Sequence, residues 1–459
     1  MDHWLINFKT MKRFLYLIVL LSVMMSCKKT SYVAVFDKTP QERAADQINL
    51  VSTTLTSAPN GWIATLPTQA GGGYGFYFTF DNQQNVTMYA DMTSASAGTV
   101  GKSNYRIKQD IGTELVFDTY NYISILDDPN AAILGGASKV GYSSDIEFTF
   151  DRVNGDSIIF VGKKYRQPFK LVKATAAQQA SYTSGGYNTS IDKITAFFNT
   201  NKFPYIQVVS GSTTLKVAVS PNFSNNLASG KRMDLTSVLA DGKTIGTAAT
   251  KIAHTLDGLS LLNGGLVFQG ITFVRMAWKD ANILALYDST GKEYIINDNG
   301  VPILDINLLW GSKYVGLRSE FKQVNPGTST AGADIINYYH NNLNNSALLG
   351  FGFNYGRMDL TWSRPNNRFI FAGFSSQNGG SSGWTTTIVY NYTVNPDGSY
   401  KFTQYTAAAD GYVAKLMLPM DAFLKANDVK FDYYSINGLT YGRMSSVQNP
   451  AIQMTFILR

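Results

Sequence analysis

Short alternating segments punctuated by glycine turns run through nearly the whole chain, and this rhythm restricts its fold more than any other feature. Asn154-Gly155, Asp257-Gly258, Asn263-Gly264, Thr290-Gly291, Asp298-Asn299-Gly300 and Asn395-Pro396-Asp397-Gly398 supply residues that tolerate positive φ or start a reversal. Between such turns lie runs including Tyr74 to Phe80, Ile146 to Phe150, Ser157 to Val161, Leu215 to Val219, Phe273 to Met276 and Thr385 to Val394. Apolar and polar residues alternate along them, as a half-buried strand requires. Tight turns join antiparallel strands, so the expected fold class is mainly β, a β-rich α+β chain. It should contain two or three antiparallel domains, sandwich- or barrel-like, each with a few flanking helices. Charged residues make up only 15% of the chain and aromatic ones 13%, the balance of short strands and many turns.

Helical periodicity appears where the strand rhythm stops. Pro40-Gln41-Glu42-Arg43 opens a pattern with Ala44, Ile48, Val51 and Leu55 on one side, ended by Pro59-Asn60-Gly61. A second helical stretch runs from Ala174 to about Thr200, interrupted at Gly185-Gly186, and a third from Ala333 to about Leu343. A helix from Met420 to Ala426 precedes a final strand, Ile452 to Leu458. Asn325-Pro326-Gly327-Thr328-Ser329-Thr330 has the composition of a linker. The expected domains are therefore residues 39–174, 175–325 and 326–459. Tyr74-Gly75 and Tyr355-Gly356, each following a helix, suggest a weak repeat between the first and third.

Residues 1–26 have the parts of a lipoprotein signal. Met11-Lys12-Arg13 is the basic region, and Phe14 to Met25 is uncharged but shorter than the roughly 20 residues that span a bilayer. Ser26 then precedes Cys27, the arrangement that lipoprotein signal peptidase cuts before the thiol is acylated, and residues 27–38 form a tether. Either Met1 or Met11 can serve as the start. Cys27 is the sole cysteine, so a lipidated chain has no thiol for disulfides or metal ligation. The formal charge of +7 falls once Lys9, Lys12, Arg13 and Asp2 are removed, and the remaining Lys and Arg are scattered. Nucleic acid is not an expected partner.

Catalytic signatures are sparse. Beyond the signal, only His254 and His340 are present, with no Glu at a zinc-site offset, so both read as structural or surface histidines and no metal or cofactor is expected. Gly379-Gly380-Ser381-Ser382-Gly383 spells a nucleophile elbow but leads into a strand with no later histidine, and reads as a flexible loop. Asp127-Asp128 precedes Pro129 and reads as a turn. A hydrolase with two dispersed carboxylates would leave no local signature and stays open as an alternative. Aromatic residues are the other candidates, because rings stack on sugars and grip peptides. Trp62, Trp278, Trp310 and Trp362 lie in or beside apolar stretches and read as core, whereas Trp384 and Tyr355 border Gly- and Asn-rich loops and are the candidate ligand-binding residues.

Three stretches carry a resemblance: Ser57-Ala58-Pro59-Asn60-Gly61-Trp62; Leu115-Val116-Phe117-Asp118-Thr119-Tyr120-Asn121 running to Asp127-Asp128-Pro129; and Asp145-Ile146-Glu147-Phe148 with Gly162-Lys163-Lys164. Together with the lipobox they resemble the Bacteroidetes lipoproteins grouped as domain of unknown function 4302. The similarity is specific over residues 39–174 and looser to the C-terminus, where Tyr355-Gly356 and Leu360-Thr361-Trp362 are similar to the family's last unit. That family has no established activity. The resemblance implies a setting beside TonB-dependent transporters and their surface-lid lipoproteins. The expected function is thus a lipid-anchored outer-membrane protein, a non-catalytic component of nutrient uptake that captures a glycan or peptide. A structural subunit without a ligand is a further alternative. Lys28-Lys29-Thr30 stands where surface-exported relatives carry acidic residues, which leaves the membrane face and the oligomeric state open.

Overall fold

The computed structural model describes residues 11–20, 37–407 and 411–459. Cys27 and most of the expected signal and tether lie outside the described residues. Residues 11–20 are helical, and among the described residues no helix is long and apolar enough to cross a membrane.

The fold is mainly β, built from three antiparallel sheets with a few helices. The first sheet begins with Trp62–Pro67 and proceeds strand by strand to Pro168–Lys173, which returns to pair with Trp62–Pro67. Its two formal edges are one bent strand. Gly101–Asn104 pairs with Asn85–Ala90, and after a single residue, Tyr105, Arg106–Gln109 pairs with Thr113–Val116. Tyr105 is buried, its hydroxyl donates to the Asp81 carbonyl at 2.9 Å, and its ring meets Phe80 edge-on, so the bend is anchored. The sheet thus curls into a barrel-like circuit of sequence neighbours, eight strands if the bent one is counted once. Phe76, Phe78, Phe117, Phe148, Phe160 and Phe169 fill it. The helix Pro40–Thr56 starts with a Thr39/Glu42 capping box and buries Val51 and Leu55 in this core.

The second sheet repeats the device. Glu293–Ile295 pairs with Leu284–Asp288, and after Ile296 the segment Asn297–Asp298 pairs with Pro204–Ser210, the first strand of the sheet. The expected helical stretch ahead of it divides into Ala176–Thr183 and Gly186–Thr200 at Gly185, whose φ of 86° is left-handed. The third sheet is a closed eight-stranded barrel from Gly316–Ser319 to Gln453–Leu458. Helices Thr330–Asn341 and Ala414–Ala426 pack into it. A Cβ at inward-facing Gly373 would lie 3.1 Å from both Met417 Sδ and the Tyr339 ring.

Three expectations are corrected. The segment Asn325 to Thr330 is no linker, because buried Asn325 donates through Nδ2 to the Thr455 carbonyl and Thr328 shares a hydroxyl hydrogen bond with Thr455. The last barrel already begins before it, with Gly316–Ser319 paired to Tyr355–Ser363. The two Tyr-Gly pairs are not equivalent: Tyr74 lies in the core of the first sheet, in the second strand after its helix. Tyr355 stands on the outer wall, in the first strand after its helix. The C-terminal helix also starts earlier than expected, at Ala414, with Pro419 accommodated inside it.

The first and second barrels meet closely. Gly73 and Gly75 lie on the outer face of the first and run against strand Ile245–His254 of the second. A Cβ at Gly75 would lie 2.5 Å from the His254 carbonyl oxygen and 2.6 Å from the Tyr187 hydroxyl. Because backbone sits on the other side, the contact cannot relax by rotating a side chain. Gly75→Ala is expected to destabilise the protein by about 1–3 kcal/mol, measured by urea unfolding. An unchanged midpoint would show that the barrels are not held this closely.

Candidate functional site

Of the places where chemistry-bearing side chains gather, two differ sharply in burial. At the junction of the first two barrels, Asp91 accepts hydrogen bonds from the Gly75 and His254 amides at 2.9 and 2.8 Å. Lys231 Nζ lies 3.0 Å from Asp91 Oδ2 and donates to the Asp91 carbonyl at 2.6 Å. His254 Nδ1 lies 3.2 Å from the same carboxylate oxygen. Burial pushes the Asp91 carboxyl up, but the Lys231 charge and the His254 hydrogen bonds outweigh it and hold the pKa down to about 2. Burial also lowers the His254 pKa, with Lys231 adding to the effect, so the imidazole is neutral. Burial lowers the Lys231 pKa, and the charge and hydrogen bond of the Asp91 carboxylate oppose that shift. The Asp91 side chain has no exposure and that of Lys231 only 2%, so no ligand reaches this constellation. It is an interdomain tie.

The second place is open to solvent. Strand Trp384–Val394 turns Thr386, Ile388 and Tyr390 toward the interior of the C-terminal barrel, and alternation puts Trp384 on the same face at the rim. There Trp384, Tyr412 and Phe351 are 45%, 47% and 38% exposed around the buried Phe353. Trp384 and Tyr412 are 5.5 Å apart at 70°, and Phe351 and Tyr412 are 5.0 Å apart at 66°. With Gln377 they line a cavity of about 180 Å³. The rings are steeply tilted to one another, so they form a curved apolar wall with one amide at its edge.

The glycine-rich loop ahead of Trp384 shapes this rim. A Cβ at Gly383 would lie 2.2 Å from the Ser375 carbonyl, so only glycine lets the chain pass over Phe374 there. The loop is hydrogen-bonded internally: Ser376 Oγ accepts from the Gly380 amide, Asn354 Oδ1 from the Gly379 amide, and Asn378 Nδ2 donates to Ser382 Oγ at 2.7 Å. The flexible loop expected from composition is therefore a braced one. Ser381, the serine of the elbow-like letters, donates to the Asn378 carbonyl.

Of the two aromatic candidates, only Trp384 belongs to the mouth. Tyr355 pairs across the sheet with Ser376 and Trp384 with Ser375, and adjacent residues of a strand point to opposite faces. Tyr355 is on the outer wall, packed on Phe321 and donating to Glu320 Oε2 at 3.1 Å. Among the other tryptophans Trp62, Trp310 and Trp362 are core, whereas Trp278 is half-buried with Lys193 Nζ 3.7 Å from its ring centroid. Phe351 and Tyr412 escaped the sequence reading, their only signal being an aromatic residue beside glycine, in Gly350-Phe351-Gly352 and Gly411-Tyr412.

His340 is buried and shares a 2.9 Å hydrogen bond with Ser319, and burial lowers its pKa to about 4. Asp127 ends a short 3₁₀ turn, and Asp128 accepts from the Tyr120 hydroxyl. Among the described residues no group of three or more His, Cys, Asp or Glu could hold a metal ion.

No curated protein matches the chain. The family model described as "Domain of unknown function (DUF4302)" matches residues 34–280, which take in the first barrel, most of the second and the buried tie between them. That match covers more than half of the 459 residues, and the chain belongs to this family.

Proposed function

We propose that the protein is a lipid-anchored envelope protein that captures a glycan at the aromatic mouth of its C-terminal barrel. It works without catalysis, beside a TonB-dependent transporter in the outer membrane of a Bacteroidetes cell, with Cys27 as the acylated residue. One observation carries the binding reading: three solvent-exposed rings, Trp384, Tyr412 and Phe351, surround a cavity at a braced rim. Exposed aromatic residues normally lose water contact on burial, and gathering them at a concave rim fits stacking on the apolar faces of a sugar ring. A cavity of about 180 Å³ is smaller than the ~300–1,000 Å³ of pockets that enclose a drug-sized ligand, which suits one sugar unit of a longer chain.

A panel of polysaccharides and protein digests, screened for binding and product release, tests the reading. Trp384→Ala is expected to weaken the bound glycan by about 2 kcal/mol, roughly thirtyfold, with the melting temperature kept. Equal binding by the variant would remove the mouth from the mechanism. Turnover abolished by a single Asp or Glu substitution would replace capture with hydrolysis.

A further inference from the structure

A roomier cavity, about 320 Å³, opens between the middle and C-terminal barrels. The middle barrel contributes Lys202, and Ser220 and Thr236 from the outer faces of strands Thr213–Asn222 and Arg232–Val238. The C-terminal barrel contributes Lys313, Tyr314 and Thr440, and the connecting segment from Pro302 to Leu304 lines the cavity between them.

Lys202 and Lys313, from different barrels, thus both line one cavity whose lining includes no carboxylate. Neither Lys202 nor Lys313 is paired with an acid among the described residues, and the Lys313 ammonium rests 5.4 Å from the centroid of the Tyr314 ring. The neighbouring Asp298 lines a separate cavity with Lys202 and accepts from the amides of Phe203 and Gly300. Both lysines are exposed at the edges of the cavity, and an anion placed between their side chains would meet positive charge from either barrel. The surrounding hydroxyls of Ser220, Thr236, Tyr314 and Thr440 can donate to or accept from a polyhydroxylated ligand, and Tyr314 offers a ring face.

We propose that this cleft binds an acidic sugar residue, its carboxylate held between Lys202 and Lys313 and its hydroxyls by the lining Ser, Thr and Tyr side chains. The site draws on both barrels, so an occupied cleft fixes the C-terminal barrel against the middle one. It does not depend on the aromatic mouth.

The test is titration calorimetry on the full-length protein in detergent, with glucuronate and oligogalacturonate as probes and glucose and galactose as neutral controls. The acidic probes are expected to bind with an affinity that falls as salt rises, and Lys202 and Lys313 to contribute nothing to any binding of the neutral ones. Lys202→Gln and Lys313→Gln should each weaken the acidic probe by about tenfold or more, and Lys313→Arg should retain it. Thermal unfolding of each variant checks that the fold is kept. Neutral sugars whose binding the glutamine variants weaken as much as that of the acidic probes, affinity that ignores salt, or glutamine variants that bind the acidic probes like the parent would each overturn the proposal. Failure of both acidic probes to bind would overturn it as well.

Discussion

Asp91→Ala is expected to destabilise the protein by about 3–5 kcal/mol, because it leaves the Lys231 ammonium buried without its counter-ion. Against a typical total of about 5–15 kcal/mol, that loss should bring the first two barrels close to unfolding at room temperature. Lys231→Met should cost a similar amount, since it strands the carboxylate, although the two main-chain amides and His254 still solvate it. The double variant Asp91→Ala/Lys231→Met should be less destabilised than the sum of the two, and urea unfolding of all four proteins gives the coupling energy. Additive losses would show that the pair does not act as a unit.

The same group predicts a pH dependence. The folded pKa of Asp91, about 2, lies below its usual 3.8. A depressed carboxylate contributes stability that is full above the unfolded value and is lost as pH falls from about 3.8 towards 2. The gap between the parent and Asp91→Ala should therefore be constant near neutrality and narrow in acid. A gap that widens in acid would contradict the assignment.

The second large effect belongs to the C-terminal barrel. Trp310 and Trp362 stack with centroids 3.9 Å apart at 4°, and Phe431 meets both edge-on. Trp310 follows the short helix Ile306–Leu309, so this stack pins the segment arriving from the middle barrel onto the barrel wall. Trp310→Ala is expected to cost about 3–5 kcal/mol, as removing a buried ring leaves a cavity that close-packed neighbours cannot fill. The loss should be local. Near-ultraviolet circular dichroism should lose the signal of the stacked indoles, and an early unfolding step should separate from that of the first two barrels. A single unshifted transition would contradict this.

Local order was legible in the sequence. The capped helix Pro40–Thr56, the break at Gly185 and the hairpin turns follow from side-chain chemistry within a few residues, and the structure contains them. The hairpin of Asp428–Ile436 and Leu439–Ser446 was overlooked, although Val429, Phe431 and Tyr433 alternate with polar residues and Asn437-Gly438 supplies the turn. Barrel closure was not legible, because Gly101–Asn104 reads as polar loop and becomes a strand only through pairing with Asn85–Ala90. Nor was the buried tie, since Asp91, Lys231 and His254 are unremarkable where they stand in the chain and meet only when two barrels dock. Trp384 could be singled out because a glycine-rich loop precedes it, but its partners Phe351 and Tyr412 arrive from distant segments.

The circular order of the strands also bears on how such a chain is made. Trp62–Pro67 can pair at once with Gly73–Phe80, but its other side waits for Pro168–Lys173. Gly316–Ser319 likewise waits for Gln453–Leu458. A chain delivered from its N-terminus therefore carries an open seam through most of each barrel's synthesis, with amides and carbonyls available to any neighbouring strand. Closing the seam is the long-range, slow step of a meander, so holdase chaperones should matter most while each seam is open and little once its last strand has emerged.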